Sequence, residues 1–224
     1  MAGRGDFGEV PTIGNPLCAM LRNGRWQAMS EPICFDRTPF AVGKFGFHSG
    51  VNLAASFADD YANDKKEPIG LIPAAEGGSM LSEWMPGELL FDHAVMQTKL
   101  AMRTSEFSGI LWHQGESDSD DPEKVKLYYD RFMTIYEAFK RELGIGDIPV
   151  ILGGLGDFVT GWTLGSCDYY REINAILQKI ANDLPVAAFV PATGLTCRPD
   201  SIHFNSASLR EFGHRYYAAY KGLA

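Results

Sequence analysis

Asp200 and His203 stand three residues apart in Arg198-Pro199-Asp200-Ser201-Ile202-His203-Phe204. An imidazole has an ordinary pKa of about 6.5, so near neutrality it can take a proton from an attacking hydroxyl and return it to a leaving alcohol. A carboxylate on the other ring nitrogen fixes the tautomer and stabilises the imidazolium. In a loop, this spacing lets both side chains turn to one side. The plain alternative is a helix turn with a solvated Asp and a packed His. A second polar stretch is Trp112-His113-Gln114-Gly115-Glu116-Ser117-Asp118. The Gln114 amide can donate to a developing oxyanion, and Gly115 allows close backbone approach. Other readings make His113, Glu116 and Asp118 metal ligands, make Glu116 and Asp118 an acid/base pair, or leave a polar loop before a helix. No H-E-x-x-H and no further histidine cluster supports the metal.

These residues need a frame, and the apolar pattern predicts one. Helical spacing runs over 51–61, 91–103, 122–143, 168–184 and 206–221. Pro122 stands at a helix start, Gly144 at its stop, and Asp168 is the expected N-cap of the next helix. Short apolar runs at 69–75, 109–112, 150–154 and 187–190 read as four strands. Residues 1–50 are rich in Gly and Pro and read as irregular, either a loop carrying substrate contacts or a surface connection. Strands alternating with amphipathic helices predict a parallel sheet with helices on both faces. Active groups in such sheets gather beyond the carboxyl ends of the strands. Glu76-Gly77-Gly78-Ser79, His113-Gln114-Gly115-Glu116 and the Asp200/His203 loop all follow strands.

The chain has 224 residues, enough for one domain with a substantial core. Its formal charge of -8 and lack of a Lys/Arg run argue against a nucleic-acid partner. No apolar stretch approaches the roughly 20 residues that span a bilayer. Cys18, Cys34, Cys167 and Cys197 show no C-x-x-C spacing and read as thiols in a reducing compartment, a Cys18–Cys34 disulfide being the alternative. The expected location is the cytoplasm, with an upstream signal peptide left open.

Taken together, these motifs make the chain resemble the sialate O-acetylesterase and acetylxylan esterase group, carbohydrate esterase family six, of the SGNH-hydrolase superfamily. Residues 1–5, Met-Ala-Gly-Arg-Gly, match the second half of its Gly-Gln-Ser-Asn-Met-Ala-Gly-Arg-Gly motif. Residues 112–118 match its central signature, and Asp200-Ser201-Ile202-His203-Phe204 its D-x-x-H-F block. Ile69-Gly70-Leu71-Ile72-Pro73, Gly77-Gly78-Ser79 and Glu83-Trp84 resemble its G-L-I-P, G-G-(S/T) and E-W stretch. The matches extend to the last helix.

The resemblance implies a single domain, 1–224, with a three-layer αβα, flavodoxin-like fold. It implies His203 as general base and Asp200 as its orienting carboxylate. It implies oxyanion donors at Gln114 and the Gly50 N–H, with Arg4, Gly5, Gly115 and Glu116 supporting the motifs. No metal or organic cofactor is implied, and the expected partner is an acetylated carbohydrate. The family's nucleophilic Ser lies two residues before the position of Met1, on a strand this chain does not include. The chain as given is therefore expected to show little or no activity. Ser49, Ser79 and Ser117 are the substitutes to consider. The expected function is removal of acetyl groups from sugars by a Ser-His-Asp mechanism. The alternative is a non-catalytic binder of acetylated glycans, in which Trp26, Trp84 or Trp162 could stack a sugar.

Overall fold

The computed structural model describes residues 2–36 and 48–223. Strands β1 (Cys18–Arg22) and β2 (Arg25–Ala28) form an antiparallel hairpin in the segment expected to be irregular. Its turn is Asn23-Gly24, both at positive φ (52° and 72°), which suits the twist of a two-residue hairpin loop. Asn-Gly is a hairpin-turn signal, and here it lies in a segment whose Gly and Pro content reads as irregular.

Helix α1 (Leu53–Lys65) is capped by Asn52, whose side chain accepts from the Ala54 N–H. Strand β3 (Ile69–Leu71) pairs parallel with β1 and is shorter than the apolar run that predicted it. Then come α2 (Leu89–Ala101), β4 (Ile110–Trp112) and α3 (Pro122–Leu143). Asp121 caps α3; Pro122 opens it and Gly144 closes it in the left-handed conformation, these two as expected. Strand β5 (Val150–Gly153) follows. Helix α4 (Tyr170–Asp183) begins two residues after Asp168, and its N-cap position is Tyr169 without a side-chain cap bond. This corrects the expected cap: residues 168–169 are still in a turn. Strand β6 (Ala187–Val190) and α5 (Ser206–Lys221) complete the order.

The strands form two half-sheets, β2-β1-β3 and β4-β5-β6. All pairings but the hairpin are parallel. Helices α2, α3 and α4 bury one core against β4–β6, in which Ile173, Leu177 and Ile180 of α4 are wholly buried. Each such side chain contributes about 1.5–3 kcal/mol relative to exposure. A second core joins α1 and α5 to β5 and β6 through Phe57, Leu209, Phe212 and Tyr216. A third holds the hairpin against α1. The carboxyl ends of β3 and β4 lead into the two polar loops that meet at the site.

Candidate active site

His203 and Asp200 come together as their spacing predicted. The His203 ring presents Nδ1 to Asp200 Oδ2 at 3.0 Å. The other carboxylate oxygen, Oδ1, accepts the backbone N–H groups of Ile202 and His203, each at 3.0 Å. Ser201 takes a positive φ of 56° between them, which folds the loop tightly enough for the carboxylate to reach both. Burial pushes Asp200 up, but the bonds from His203 and Ile202 outweigh it and leave the carboxyl below its ordinary range. Burial pulls His203 down, and the Asp200 charge only partly restores it. The imidazole is therefore neutral at pH 7. With Nδ1–H directed at the carboxylate, the basic lone pair belongs to Nε2.

Arg4 is the post that gathers the neighbouring loops. Its guanidinium makes a two-pronged pair with Asp36, Nη1 to Oδ1 being 2.8 Å, and both side chains are buried. Asp36 also accepts from Ser49 Oγ and the Gly77 N–H, each at 2.8 Å. Burial pushes the Asp36 carboxyl up, but Arg4, Ser49 and Gly77 together hold it below its ordinary value. The Arg4 carbonyl accepts from Arg198, which ties the post to the His203 loop. Residues 3–5 run against 50–51: Gly5 N–H donates to Val51 O at 3.2 Å, and Val51 N–H returns to Gly5 O at 2.9 Å. A Cβ on Gly50 would lie 2.0 Å from the Gly5 carbonyl oxygen, so only glycine permits this approach.

The two expected oxyanion donors are engaged within the protein. The Gly50 N–H donates to the Gly3 carbonyl at 3.1 Å. Gln114 Nε2 donates to Ser79 O (3.0 Å) and Asp118 Oδ2 (2.6 Å), while its Oε1 accepts from Tyr128 (3.0 Å). Gln114 thus clamps the loop after β4 to the loop after β3. Gly115 has φ 152°, and a Cβ there would strike Ile173 at 2.7 Å. Glu116 faces His113 at 3.5 Å. Burial pushes Glu116 up, but His113 outweighs it and leaves it below its usual range. Asp118 bonds Leu81 N–H and Gln114, so it does not complete a ligand set with His113 and Glu116. Among the described residues no group of three His, Cys, Asp or Glu could hold a metal ion. Ser49 donates to Asp36, Ser79 to Glu76 O and Ser117 to Gly78 O.

A cavity of about 940 Å³ opens here and runs between the half-sheets. Ala2, Gln114, Trp162 and His203 stand at this end of it. Of the three tryptophans considered for sugar stacking, Trp84 is buried and its indole N–H donates to Ser79 Oγ at 3.0 Å. The N–H of Trp26 donates to Thr104 at 3.1 Å. Asp36 is the functional side chain that sequence reasoning missed. Arg4 is buried and requires a counter-charge, but the sequence shows neither that burial nor which carboxylate supplies the charge.

The fold and site define an α/β protein with a His–Asp pair beyond the carboxyl ends of parallel strands. The family model for carbohydrate esterase, sialic acid-specific acetylesterase, matches residues 1–222, and the chain belongs to that family. A probable carbohydrate esterase of Arabidopsis thaliana is 28% identical over 200 residues, 88% of this chain and 71% of that protein. The chain is also similar to a solved Arabidopsis thaliana protein, with TM-score 0.81 and 23% identity over 99% of this chain and 93% of that one. A carbohydrate acetylesterase from Xanthomonas citri aligns with TM-score 0.65 and 19% identity over 92% of this chain, which spans 48% of it. Among the described residues no helix is long and apolar enough to cross a membrane.

Proposed function

We propose that this protein is a carbohydrate O-acetylesterase in which His203 and Asp200 serve a serine nucleophile. The observation that carries the reading is the His203 Nδ1–Asp200 Oδ2 contact at the mouth of the cavity. Nε2 takes the serine proton as the hydroxyl attacks the acetyl carbonyl, then returns it to the departing sugar alcohol. Water, deprotonated by the same nitrogen, releases acetate. Asp200 keeps the ring in one tautomer throughout. The serine is assigned to a segment preceding Met1, following the family motif that residues 1–5 continue. Gln114 acts in the oxyanion site if substrate displaces the Ser79 carbonyl from its amide. Gly50 acts there if its N–H leaves Gly3.

The architecture is read as one three-layer αβα domain over 1–224, with an acetylated xylan- or sialic-acid-type sugar as substrate. Free thiols at all four cysteines favour a reducing, cytoplasmic location. The binder reading is favoured by one observation: Ser49, Ser79 and Ser117, the three substitutes considered, each donate to another partner within the protein. Acetate release separates the two. The esterase reading expects turnover of acetylated xylo-oligosaccharide or O-acetylated sialic acid by a form carrying the upstream serine, and none after His203→Ala. Saturable binding with no turnover in that form would favour the binder.

A further inference from the structure

We infer, resting on the esterase reading, that the indole N–H of Trp162 is a substrate contact and donates to an oxygen of the sugar that carries the acetyl ester. The chain has four tryptophans, and three of their indoles are satisfied within the protein. Trp26 donates to Thr104 Oγ1 at 3.1 Å, Trp84 to Ser79 Oγ at 3.0 Å and Trp112 to the Tyr128 hydroxyl at 3.4 Å. The Nε1–H of Trp162 is buried and meets no acceptor among the described residues. An indole can only donate, so burial without an acceptor removes its bond to water and replaces it with nothing. Buried tryptophans usually find a partner for this group, which makes the exception a mark of something still to be bound.

The position of Trp162 says what that is. The residue stands beyond the carboxyl end of β5, directly after a short 3-10 turn at Asp157–Gly161. This strap is fixed in place: Val159 is buried, the Trp162 backbone N–H donates to Val159 O at 3.2 Å, and the Tyr170 hydroxyl holds Asp157 at 2.8 Å. Gly161 abuts the turn between Asp200 and His203, since a Cβ on it would lie 3.1 Å from Ser201 Oγ. A Cβ on Gly165 would lie 2.3 Å from the six-membered ring of Trp162. That ring therefore rests on Gly165, and the edge bearing Nε1 is turned away from it. Trp162, Ile202 and His203 line the same cavity. The departing alcohol takes its proton from His203, so the oxygens nearest this strap belong to the sugar and not to the acetyl carbonyl. An indole presents a flat apolar face with one donor on its rim, which matches the C–H face and hydroxyl rim of a sugar. The Gly50 N–H is engaged with Gly3, and the Gln114 amide with Ser79 and Asp118. Trp162 is the donor that a ligand can take without breaking a bond in the protein.

Trp162→Phe keeps an aromatic ring and removes the donor. Because the N–H has no acceptor in the free protein, Tm should stay within about 2 °C of the parent or rise. In the serine-bearing form, KM for acetylated xylo-oligosaccharide or O-acetylated sialic acid should rise about 3–10-fold at unchanged kcat, and the sugar that responds identifies the substrate. Phenyl acetate, which has the ester but no sugar oxygen, should keep its kcat/KM within about 2-fold. The contact is read directly in the form with Ser→Ala, which binds without turnover. At saturation with the same sugar, the Trp162 indole proton, assigned through its contacts with Gly165, should move downfield and exchange with solvent at least about 10-fold more slowly. This measurement needs no change at Trp162, so it decides the matter even if Trp162→Phe does not fold. An unmoved indole proton at saturation, an unchanged KM, or an equal loss on phenyl acetate overturns the inference. So does failure of both sugars to bind. If a sugar binds and shifts the proton but the serine-bearing form releases no acetate, the esterase reading fails and the Trp162 contact stands.

Discussion

Arg4→Ala tests whether one buried ion pair holds the loops of the site. The substitution removes both prongs from Asp36, whose carboxylate is wholly buried and keeps only Ser49 Oγ and the Gly77 N–H. Removing one partner of a buried pair costs about 3–5 kcal/mol, because the other charge stays in a poor solvent. That is a large part of the ~5–15 kcal/mol typical of a domain. With a urea slope of about 2 kcal/mol/M, the midpoint should fall by about 2 M. The sign with pH follows from Asp36. Its folded pKa lies below the ordinary 3.8, so its contribution is present above that value and is lost as pH falls through the folded one. In Arg4→Ala the depression disappears, so the stability gap between parent and variant should narrow as pH drops below about 4. Asp36→Asn should be costly too, because it leaves the guanidinium without a counter-charge. Arg4→Ala with Asp36→Asn should recover about 1–3 kcal/mol of the summed losses. Urea denaturation from pH 3 to 8 gives all four numbers. A loss under about 1 kcal/mol at pH 7, or a gap that does not change with pH, would refute the reasoning.

Asp200→Asn retains an acceptor for Ile202 and His203 but lets the ring take the wrong tautomer. It should cut kcat of the serine-bearing form about 10²–10⁴-fold while Tm changes little, which steady-state kinetics and melting will show. Burial pulls His203 and His113 below 6.5, so the unfolded chain takes up protons first on acidification. Stability should fall as pH drops from about 6.5, and the acid limb of kcat/KM should have its midpoint below 6.5. Gly50→Ala places a methyl against the Gly5 carbonyl and should cost about 1–3 kcal/mol by denaturant titration. Gln114→Leu should cost about 1–3 kcal/mol by the same titration, because Ser79 O, Asp118 and Tyr128 each lose a partner in a buried cluster.

Much of the fold could be read from local signals. The long helices announced themselves through period and punctuation, and Pro122 and Gly144 marked α3 at both ends. The hairpin at 18–28 was lost because β2 is mostly exposed and carries no apolar alternation. The Asp200/His203 pair was legible because sequence neighbours in one loop stay neighbours in space. The Arg4–Asp36 pair was not, since the partners stand 32 positions apart with the β1–β2 hairpin between them. The roles proposed for Gln114 and Gly50 raise a different point. Residue type says what a group can donate, but not what already accepts it. The expected helix at 51–61 was offset at its start because Asn52 serves as cap, not as first turn.

The central claim is that His203 activates a serine toward sugar acetyl esters. It is tested most directly by intact mass after mixing the serine-bearing form with an acetylated sugar and quenching at early times. The account predicts one added acetyl group on that serine, formed and discharged at the rate of acetate release, and no added mass in the His203→Ala protein. Acetate released at the parent rate by folded His203→Ala would contradict it.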